Sequence, residues 1–120
     1  MLINSGEVTS VSYMSNTIPI PSEKAEIAVC TAMAGEMLGL KSIYLEAGSG
    51  AKQPVPAKVI RSVKKSVDLP IVVGGGLNTT EKVESALDAG ADIIVIGNAI
   101  EKNQDFLMSV AEKIYSINLS

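Results

Sequence analysis

The sequence predicts an α/β fold whose parallel sheet forms the C-terminal half of a (β/α)8 barrel. Short apolar runs at residues 41–46, 71–73 and 92–96 each end in a turn rich in glycine or small residues. Segments with helical spacing of apolar residues separate these runs. Strands that alternate with helices pair in parallel, so their carboxyl ends meet at one edge of the sheet.

The N-terminal third holds one predicted strand and one predicted helix. Residues 1–3 are a short apolar segment, and residues 7–13 predict a hairpin-like excursion. Residues 18–21 contain two prolines and cannot form a regular central strand. Residues 22–38 predict a helix, which Gly39 ends. One side of this helix carries Ile27, Thr31, Ala34 and Leu38.

The first complete strand–helix unit begins at residue 41. Residues 41–46 predict a buried strand, because they form a short apolar run that is followed by a glycine-rich turn. Pro54, Val55 and Pro56 then begin a helix, where proline is favoured in the first turn. Apolar residues at helical spacing predict that its buried face carries Val59, Ile60, Val63 and Val67.

The next unit repeats this arrangement. Pro70 precedes a predicted strand over residues 71–73, and the triple-glycine turn follows it. We expect Asn78 to cap the next helix, with Glu81 at the reciprocal capping position. Gly90 is placed to end that helix in the left-handed conformation. The inward side of the helix is predicted to carry Val83, Ala86 and Leu87.

The last unit completes four βα units within a single domain over residues 1–120. Residues 92–96 are almost continuously apolar, as in a strand that is covered on both faces. A final helix over about residues 104–115 carries Leu107, Val110, Ala111 and Ile114 on one stripe. A complete barrel needs about 250 residues. The sequence starts inside a predicted strand, so a fragment of a barrel is favoured, and an open doubly wound sheet is the alternative.

Composition excludes several classes of function. The net charge of -3 without a basic stripe disfavours binding to nucleic acid or to an anionic membrane. The absence of histidine excludes Ser-His and Cys-His catalysis within this chain, and the single Cys30 excludes a disulfide. No apolar run approaches the length of a membrane-spanning helix. We therefore expect a cytoplasmic protein.

The end of the first complete strand carries the candidate catalytic group. Glu46 lies where a buried strand ends, and an unpaired carboxylate is costly in a core. It can accept a proton or a hydrogen bond from a substrate hydroxyl, or it can serve as a salt-bridged or capping acid. Tyr44 shares its face by strand alternation and can donate a hydrogen bond. Ser49 in the following turn either binds a ligand or suits the turn.

Two later turns predict a phosphate site. Backbone N–H groups at a glycine-rich strand–helix turn suit a phosphate, although such a turn also occurs where the chain merely needs positive φ angles. Gly74, Gly75 and Gly76 form one such turn, and Gly97 and Asn98 form the next. In (β/α)8 barrels the loops after the last two strands commonly bind phosphate. The paired placement of the turns favours the phosphate interpretation.

These motifs together resemble one enzyme family. The chain is similar throughout its length to geranylgeranylglyceryl phosphate synthase, an archaeal enzyme related to bacterial heptaprenylglyceryl phosphate synthase. The most specific motif is the run Tyr44-Leu45-Glu46-Ala47-Gly48-Ser49-Gly50-Ala51. The supporting motifs are Pro54-Val55-Pro56, Val73-Gly74-Gly75-Gly76-Leu77, Ala89-Gly90-Ala91-Asp92 and Gly97-Asn98-Ala99-Ile100-Glu101.

The resemblance implies a prenyltransferase that joins geranylgeranyl diphosphate to sn-glycerol 1-phosphate, forming the first ether bond of archaeal membrane lipids. It implies that Tyr44 and Glu46 hold the glycerol hydroxyls, with Glu46 as the catalytic base. The whole run Tyr44, Leu45, Glu46, Ala47, Gly48, Ser49 and Gly50 would contribute to substrate binding. The phosphate would lie against Gly74, Gly75, Gly76, Gly97 and Asn98.

The resemblance also implies what this chain lacks. The family uses Mg²⁺, whose aspartate ligand is expected in an absent N-terminal half, so no metal ligand is assigned to this chain. The partners implied are a complementary half-barrel or further copies of the chain, with at most peripheral membrane contact through the lipid substrate. The alternatives are another phosphate-binding barrel enzyme, acting on a sugar or indole phosphate, and an inactive half-barrel or assembly module.

Overall fold

The computed structural model describes residues 1–119, apart from the side chain of Ser12. Three parallel strands lie in the order β1-β2-β3, which is also their order along the chain. The strands are β1 (Ile43–Glu46), β2 (Ile71–Gly74) and β3 (Ile93–Val95). The helices are α1 (Ser10–Ser15), α2 (Ala25–Met37), α3 (Ala57–Ser66), α4 (Thr80–Ala89), α5 (Asn98–Lys102) and α6 (Asp105–Leu119).

The N-terminal segment extends the sheet beyond β1. Leu2 forms a parallel bridge with Glu46, and the Ile3 N–H donates to the Glu46 carbonyl at 2.7 Å. On its other side Ile3 forms an isolated bridge with Ile20, which belongs to no regular strand. The parallel α/β architecture predicted from the sequence is therefore confirmed. The strands begin and end within two residues of the predicted positions.

Strand register divides the sheet into two unlike faces. Ile43 pairs with Ile71 and Leu45 pairs with Val73, and all four side chains are buried under the helices. We call this surface the helix face. Alternate residues point the other way, to a surface that we call the open face. There Tyr44 is 37% exposed, Ile93 51% and Val95 43%. The expectation that residues 92–96 are covered on both faces is wrong for the described chain.

Helix α3 matches its predicted buried face, whereas α2 does not. Val59, Ile60 and Val63 of α3 are buried, as is Val67 after it. In α2 the predicted stripe faces outward, with Ile27 half-exposed and Leu38, which follows the helix, 81% exposed. The buried face of α2 consists instead of Ala25, Ala28, Ala32 and Gly35. Small side chains let α2 lie close to its neighbours: a Cβ on Gly35 would be 3.2 Å from the Leu40 side chain.

Of the two predicted caps of α4, the C-terminal one is confirmed and the N-terminal one is wrong. The side chain of Thr79, not Asn78, accepts the Lys82 N–H and caps the helix. Asn78 instead accepts a hydrogen bond from the Lys82 ammonium at 2.9 Å. Gly90 ends α4 with a φ of 118°, as predicted, and Val83 and Ala86 are buried with Leu87 partly buried. The inward face of α4 is therefore confirmed.

Two further expectations need correction. The hairpin-like excursion over residues 7–13 is wrong, because residues 10–15 form the short helix α1. Helix α6 buries only Val110 of its predicted stripe, and Leu107 is half-exposed because α6 packs mainly on α4 and α5. At 15 residues it is the longest helix of residues 1–119. None of the described helices combines the length and apolar character needed to cross a bilayer.

Candidate active site

A cavity of about 450 Å³ lies at the carboxyl ends of the strands, on the open face. We call it the strand-end cavity. Such a volume suits a small substrate. The structure brings eight of the twelve predicted site residues to its wall. These are Tyr44, Glu46, Ser49, Gly50, Gly75, Gly76, Gly97 and Asn98.

Tyr44 and Glu46 form one side of the strand-end cavity. Strand alternation puts both side chains on the open face, two residues apart along β1. The Glu46 carboxylate forms no hydrogen bond or ion pair with any described residue. It is therefore free to accept from a ligand. Burial, and then the charge of Glu46, raise the pKa of the Tyr44 phenol, so its hydroxyl remains a neutral donor near neutral pH.

Glycine at position 74 makes room for Tyr44. A Cβ on Gly74 would lie 2.6 Å from the Tyr44 hydroxyl oxygen. The tyrosine ring therefore leans from β1 across β2, directly over a backbone that has no side chain. Any larger residue at position 74 would push the ring away from its neighbouring strand.

Gly75 joins the turns after β1 and β2. Its φ is +88°, and a Cβ there would lie 2.7 Å from the Gly48 carbonyl oxygen and 2.8 Å from the Gly48 nitrogen. Glycine is the residue that tolerates both the positive φ and this backbone approach. Gly75 thus fixes the distance between two walls of the strand-end cavity, besides exposing its own backbone there.

The opposite side of the strand-end cavity presents backbone donors. The N–H groups of Gly76, Leu77, Asn98 and Ala99 donate to no described acceptor. The side chain of Asn98 reaches back across the cavity, since a Cβ on Gly50 would lie 3.0 Å from its amide nitrogen. Converging N–H groups form a concave surface for an anion. This side therefore complements the carboxylate and phenol side.

Four predicted site residues lie away from the cavity wall. Leu45 is fully buried on the helix face, so its side chain cannot reach the strand-end cavity. Ala47 and Gly48 are buried beneath the turn, and a Cβ on Gly48 would meet the Thr9 side chain at 2.6 Å. Gly74 lies under the Tyr44 ring. These four residues support the cavity wall without lining it.

Sequence reasoning missed several residues of the wall. Lys102 is the only cation that lines the strand-end cavity, and it forms no ion pair within residues 1–119. It lies four residues after Asn98, so helical spacing in α5 could have indicated a shared face. The other unpredicted members are Ala51, Leu77, Asn78, Val95, Ile96, Ala99, Asn103 and Phe106. Asn103 follows α5 and Phe106 lies in the first turn of α6, so both line the cavity through the placement of these two helices.

The described residues do not fit a magnesium site. Mg²⁺ prefers several oxygen ligands in octahedral geometry, commonly including one or two carboxylates. Among residues 1–119, Glu46 is the only carboxylate that lines the strand-end cavity. No cluster of three or more His, Cys, Asp or Glu side chains suited to a metal is found within residues 1–119. No step of the chemistry below is therefore assigned to a metal held by this chain.

Comparison with known sequences shows the family. The model of the PcrB family matches residues 1–114. This chain belongs to the PcrB family. It is 51% identical over its full 120 residues to a geranylgeranylglyceryl phosphate synthase from Spirosoma linguale, and 45% identical over 112 residues to one from Korarchaeum cryptofilum. The resemblance inferred from the sequence motifs is thereby confirmed.

The matches cover about half of each relative. The chain spans 48% of the Spirosoma linguale protein, and 93% of this chain matches 46% of the Korarchaeum cryptofilum protein. The PcrB family member described here therefore corresponds to one half of those longer proteins.

Solved structures agree with this assignment. The geranylgeranylglyceryl phosphate synthase of Thermoplasma acidophilum, solved with its substrate sn-glycerol-1-phosphate, superposes with a TM-score of 0.84 at 34% identity. The match covers 88% of this chain and 44% of that one. The Thermoplasma volcanium enzyme gives a TM-score of 0.86 at 36% identity, over 96% of this chain and 47% of that one.

Proposed function

We propose that this chain is the glycerol-phosphate-binding half of a prenyltransferase. The complete enzyme would join geranylgeranyl diphosphate to sn-glycerol 1-phosphate and form the first ether bond of archaeal-type lipids. One observation carries the proposal: a single cavity has an unpaired carboxylate and a phenol on one side, and unpaired backbone N–H groups on the other. A polyol phosphate has the matching groups at its two ends.

The phosphate end would lie against the turns after β2 and β3. The N–H groups of Gly76, Leu77, Asn98 and Ala99 would donate to its oxygens.

 

Lys102, whose ammonium forms no ion pair with a described residue, would add a positive charge at the same end. Charge-assisted hydrogen bonds of this kind are stronger than neutral ones.

The glycerol end would lie against β1. Tyr44 would donate a hydrogen bond to one hydroxyl, and the Glu46 carboxylate would accept the proton of the attacking hydroxyl. As that oxygen forms a bond to the allylic carbon of the prenyl donor, the bond from this carbon to the diphosphate breaks. The diphosphate leaves with the electron pair, and the proton remains on Glu46. This chain then contributes mostly positioning and a weak base.

A complementary half-barrel is the partner that we propose. The strands lie in sequential order with no reversal, and α2, α3 and α4 pack one against the next. A doubly wound sheet covers both of its faces with helices. Here the open face exposes Ile93 and Val95, as expected for the interior of an incomplete barrel. The half would supply the Mg²⁺ ligand and the groove for the prenyl chain.

A reconstitution assay tests the proposal. Transfer of the prenyl group from geranylgeranyl diphosphate to sn-glycerol 1-phosphate is measured with Mg²⁺, for this chain alone and for the chain combined with the missing half. We expect turnover in the combined barrel only. Absence of turnover there, with both substrates bound, would identify an inactive assembly module. Turnover with a sugar phosphate instead would identify another barrel enzyme.

A further inference from the structure

Gly74 lies in the middle of the open face and has no side chain there. It is the last residue of β2, and its register partners are Glu46 on β1 and Val95 on β3. Residues paired in register point to the same face of a sheet. A side chain at position 74 would therefore lie between those of Glu46 and Val95. This row of the sheet has a gap at its centre, beside the candidate catalytic group.

The backbone conformation does not require glycine at position 74. Gly75 and Gly76 have φ angles of +88° and +70°, a region that favours glycine. Among residues 1–119, Gly74 is not one of those with a positive φ, so its conformation is open to residues with a side chain. Gly74 does not line the strand-end cavity either, unlike the two glycines that follow it. What glycine provides at this position is therefore space.

The ring of Tyr44 fills this space. Tyr44 pairs with Val72, so it stands two residues before the row of Gly74. A Cβ on Gly74 would lie 2.6 Å from the Tyr44 hydroxyl oxygen and 3.2 Å from its Cε2 atom. The ring therefore extends diagonally from β1 across β2, and its hydroxyl reaches the row of Glu46 and Val95. An aromatic side chain can cover a glycine on a neighbouring strand in this way.

This placement brings the Tyr44 hydroxyl beside the Glu46 carboxylate. Side chains on a strand ordinarily stand roughly perpendicular to the sheet. A phenol that did so at position 44 would remain in its own row, two residues before Glu46. Burial, and then the charge of Glu46, raise the pKa of the Tyr44 phenol, which agrees with the placement over Gly74. The donor and the base are then close enough to contact neighbouring hydroxyls of one small polyol.

We propose that Gly74 is a positioning residue, which holds the Tyr44 hydroxyl beside Glu46 because it has no side chain of its own. Gly74 then touches no substrate and acts through Tyr44. This role replaces the expectation that Gly74 itself holds the phosphate, and it rests on the function proposed above, in which Tyr44 binds the acceptor. A methyl group at position 74 would displace the phenol and leave the base and the phosphate-binding turns in place.

Steady-state kinetics of the complete barrel test the proposal. Gly74→Ala should raise the KM for sn-glycerol 1-phosphate about tenfold and leave kcat within about twofold, because the lost hydrogen bond contributes equally to ground and transition states. Tyr44→Phe should have the same effect. In the Tyr44→Phe background, Gly74→Ala should change KM by less than about twofold, since the hydroxyl that it displaces is already absent. An unchanged KM for Gly74→Ala, or additive effects of the two substitutions, would overturn the proposal.

The ionisation of Tyr44 is a readout that a purely structural role of Gly74 would not move. Ultraviolet titration of the tyrosines follows it, and the Tyr44→Phe variant separates its signal from those of the exposed Tyr13 and Tyr115. In the native protein the pKa of Tyr44 should lie above its ordinary value of about 10. In Gly74→Ala it should fall back toward that value, because the ring leaves its covered position. An unchanged titration of Tyr44 in the folded variant would contradict the proposal.

Gly35→Ala is the matched control. A Cβ on Gly35 would lie 3.2 Å from the Leu40 side chain, as close as the Cβ on Gly74 would lie to Tyr44 Cε2. Gly35 belongs to α2 and does not line the strand-end cavity. The control should alter stability alone and leave both the KM and the titration of Tyr44 unchanged. A rise in KM as large as that of Gly74→Ala would assign the effect to general loosening of the fold and overturn the proposal.

If Gly74→Ala fails to fold, the native protein still decides where the ring lies. Nuclear Overhauser effects between the α-protons of Gly74 and the ring protons of Tyr44 should be present with sn-glycerol 1-phosphate bound, and their absence would overturn the proposal. A native protein that does not bind sn-glycerol 1-phosphate would overturn the proposed function and, with it, the role of Gly74. A native protein that binds it with an affinity that Gly74→Ala leaves unchanged would overturn the role of Gly74 alone.

Discussion

The two faces of the sheet carry the same strands and yet have opposite roles. On the helix face, Leu45 and Val73 are fully buried and contribute to stability. On the open face, the neighbouring residues Tyr44 and Glu46 are accessible and line a cavity. Because side chains alternate along a strand, one residue step separates a structural position from a functional one. The comparison predicts that substitutions of adjacent residues will have separable effects.

Glu46→Gln should have the largest effect on chemistry. The amide keeps the shape of the side chain but cannot accept the hydroxyl proton, so we expect turnover of the complete barrel to fall by about 10²- to 10⁴-fold. Stability should be unchanged, since Glu46 has no side-chain partner among the described residues. Steady-state prenyl transfer and urea unfolding measure the two quantities. A near-native rate would remove Glu46 from the mechanism.

Leu45→Ala should show the reverse behaviour. Removing a fully buried leucine side chain leaves a cavity and lowers the free energy of unfolding by about 3 kcal/mol. Tyr44→Phe, one residue earlier on the open face, removes only the hydroxyl and should cost less than about 1 kcal/mol. Urea unfolding of both variants checks the difference. Equal losses of stability would contradict the division between the two faces.

Gly97→Val should weaken the affinity for sn-glycerol 1-phosphate by about tenfold, which corresponds to about 1.4 kcal/mol. A Cβ at this position meets nothing within 4 Å, and Gly97 lines the strand-end cavity, so we expect the added side chain to crowd the cavity without a clash at Cβ. Calorimetric titration measures the affinity. Unchanged affinity would show that the phosphate does not lie against this turn.

Gly75→Val is a less informative change at the neighbouring turn. A Cβ at Gly75 would clash with the backbone of Gly48, and its φ is +88°. We therefore expect loss of stability together with loss of binding. The contrast between Gly97 and Gly75 separates a residue that faces the ligand from one that holds two loops together. A Gly75→Val variant of native stability would refute this distinction.

Asp92→Asn should have a small effect that is confined to stability, because Asp92 lies at the opposite end of the strands from the strand-end cavity. Lys64, and then the Ile71 N–H, lower the pKa of the Asp92 carboxyl group. Its stabilisation is therefore present above the unfolded pKa of about 3.9 and is lost as the pH falls through the lower folded-state value. The pair is well exposed, so we expect a loss of about 1 kcal/mol at neutral pH.

Urea unfolding at several pH values checks this prediction. The difference between the native protein and Asp92→Asn should shrink as the pH falls below the pKa of Asp92. Lys65→Gln, which removes a cation without an ion pair in residues 1–119, is the control. A constant difference across the acid range would show that the carboxylate charge does not contribute.

Local patterns predicted much of the fold. The strands, the valine-rich face of α3 and the left-handed Gly90 each depend on a few neighbouring residues, and the structure has them as expected. Helix α2 differs because its apolar residues are distributed around the helix. The structure buries the alanine side of α2, because small side chains allow close packing, and leaves Leu38 exposed.

The site was predicted in part for the same reason. Residues that follow the ends of parallel strands, such as Glu46 and Asn98, lie at the same edge of the sheet. The sequence pattern was therefore enough to predict that they share one site. Lys102 and Phe106 reach the cavity through the placement of α5 and α6, which depends on packing between distant residues.

A crystal structure of the assembled protein with sn-glycerol 1-phosphate tests the central claim most directly. The account predicts that the ligand lies on the open face, with its hydroxyls within hydrogen-bond distance of Glu46 and Tyr44. Its phosphate should lie against the N–H groups of Gly76 and Asn98. A ligand bound outside the strand-end cavity, or one whose phosphate lies at Glu46, would contradict the account.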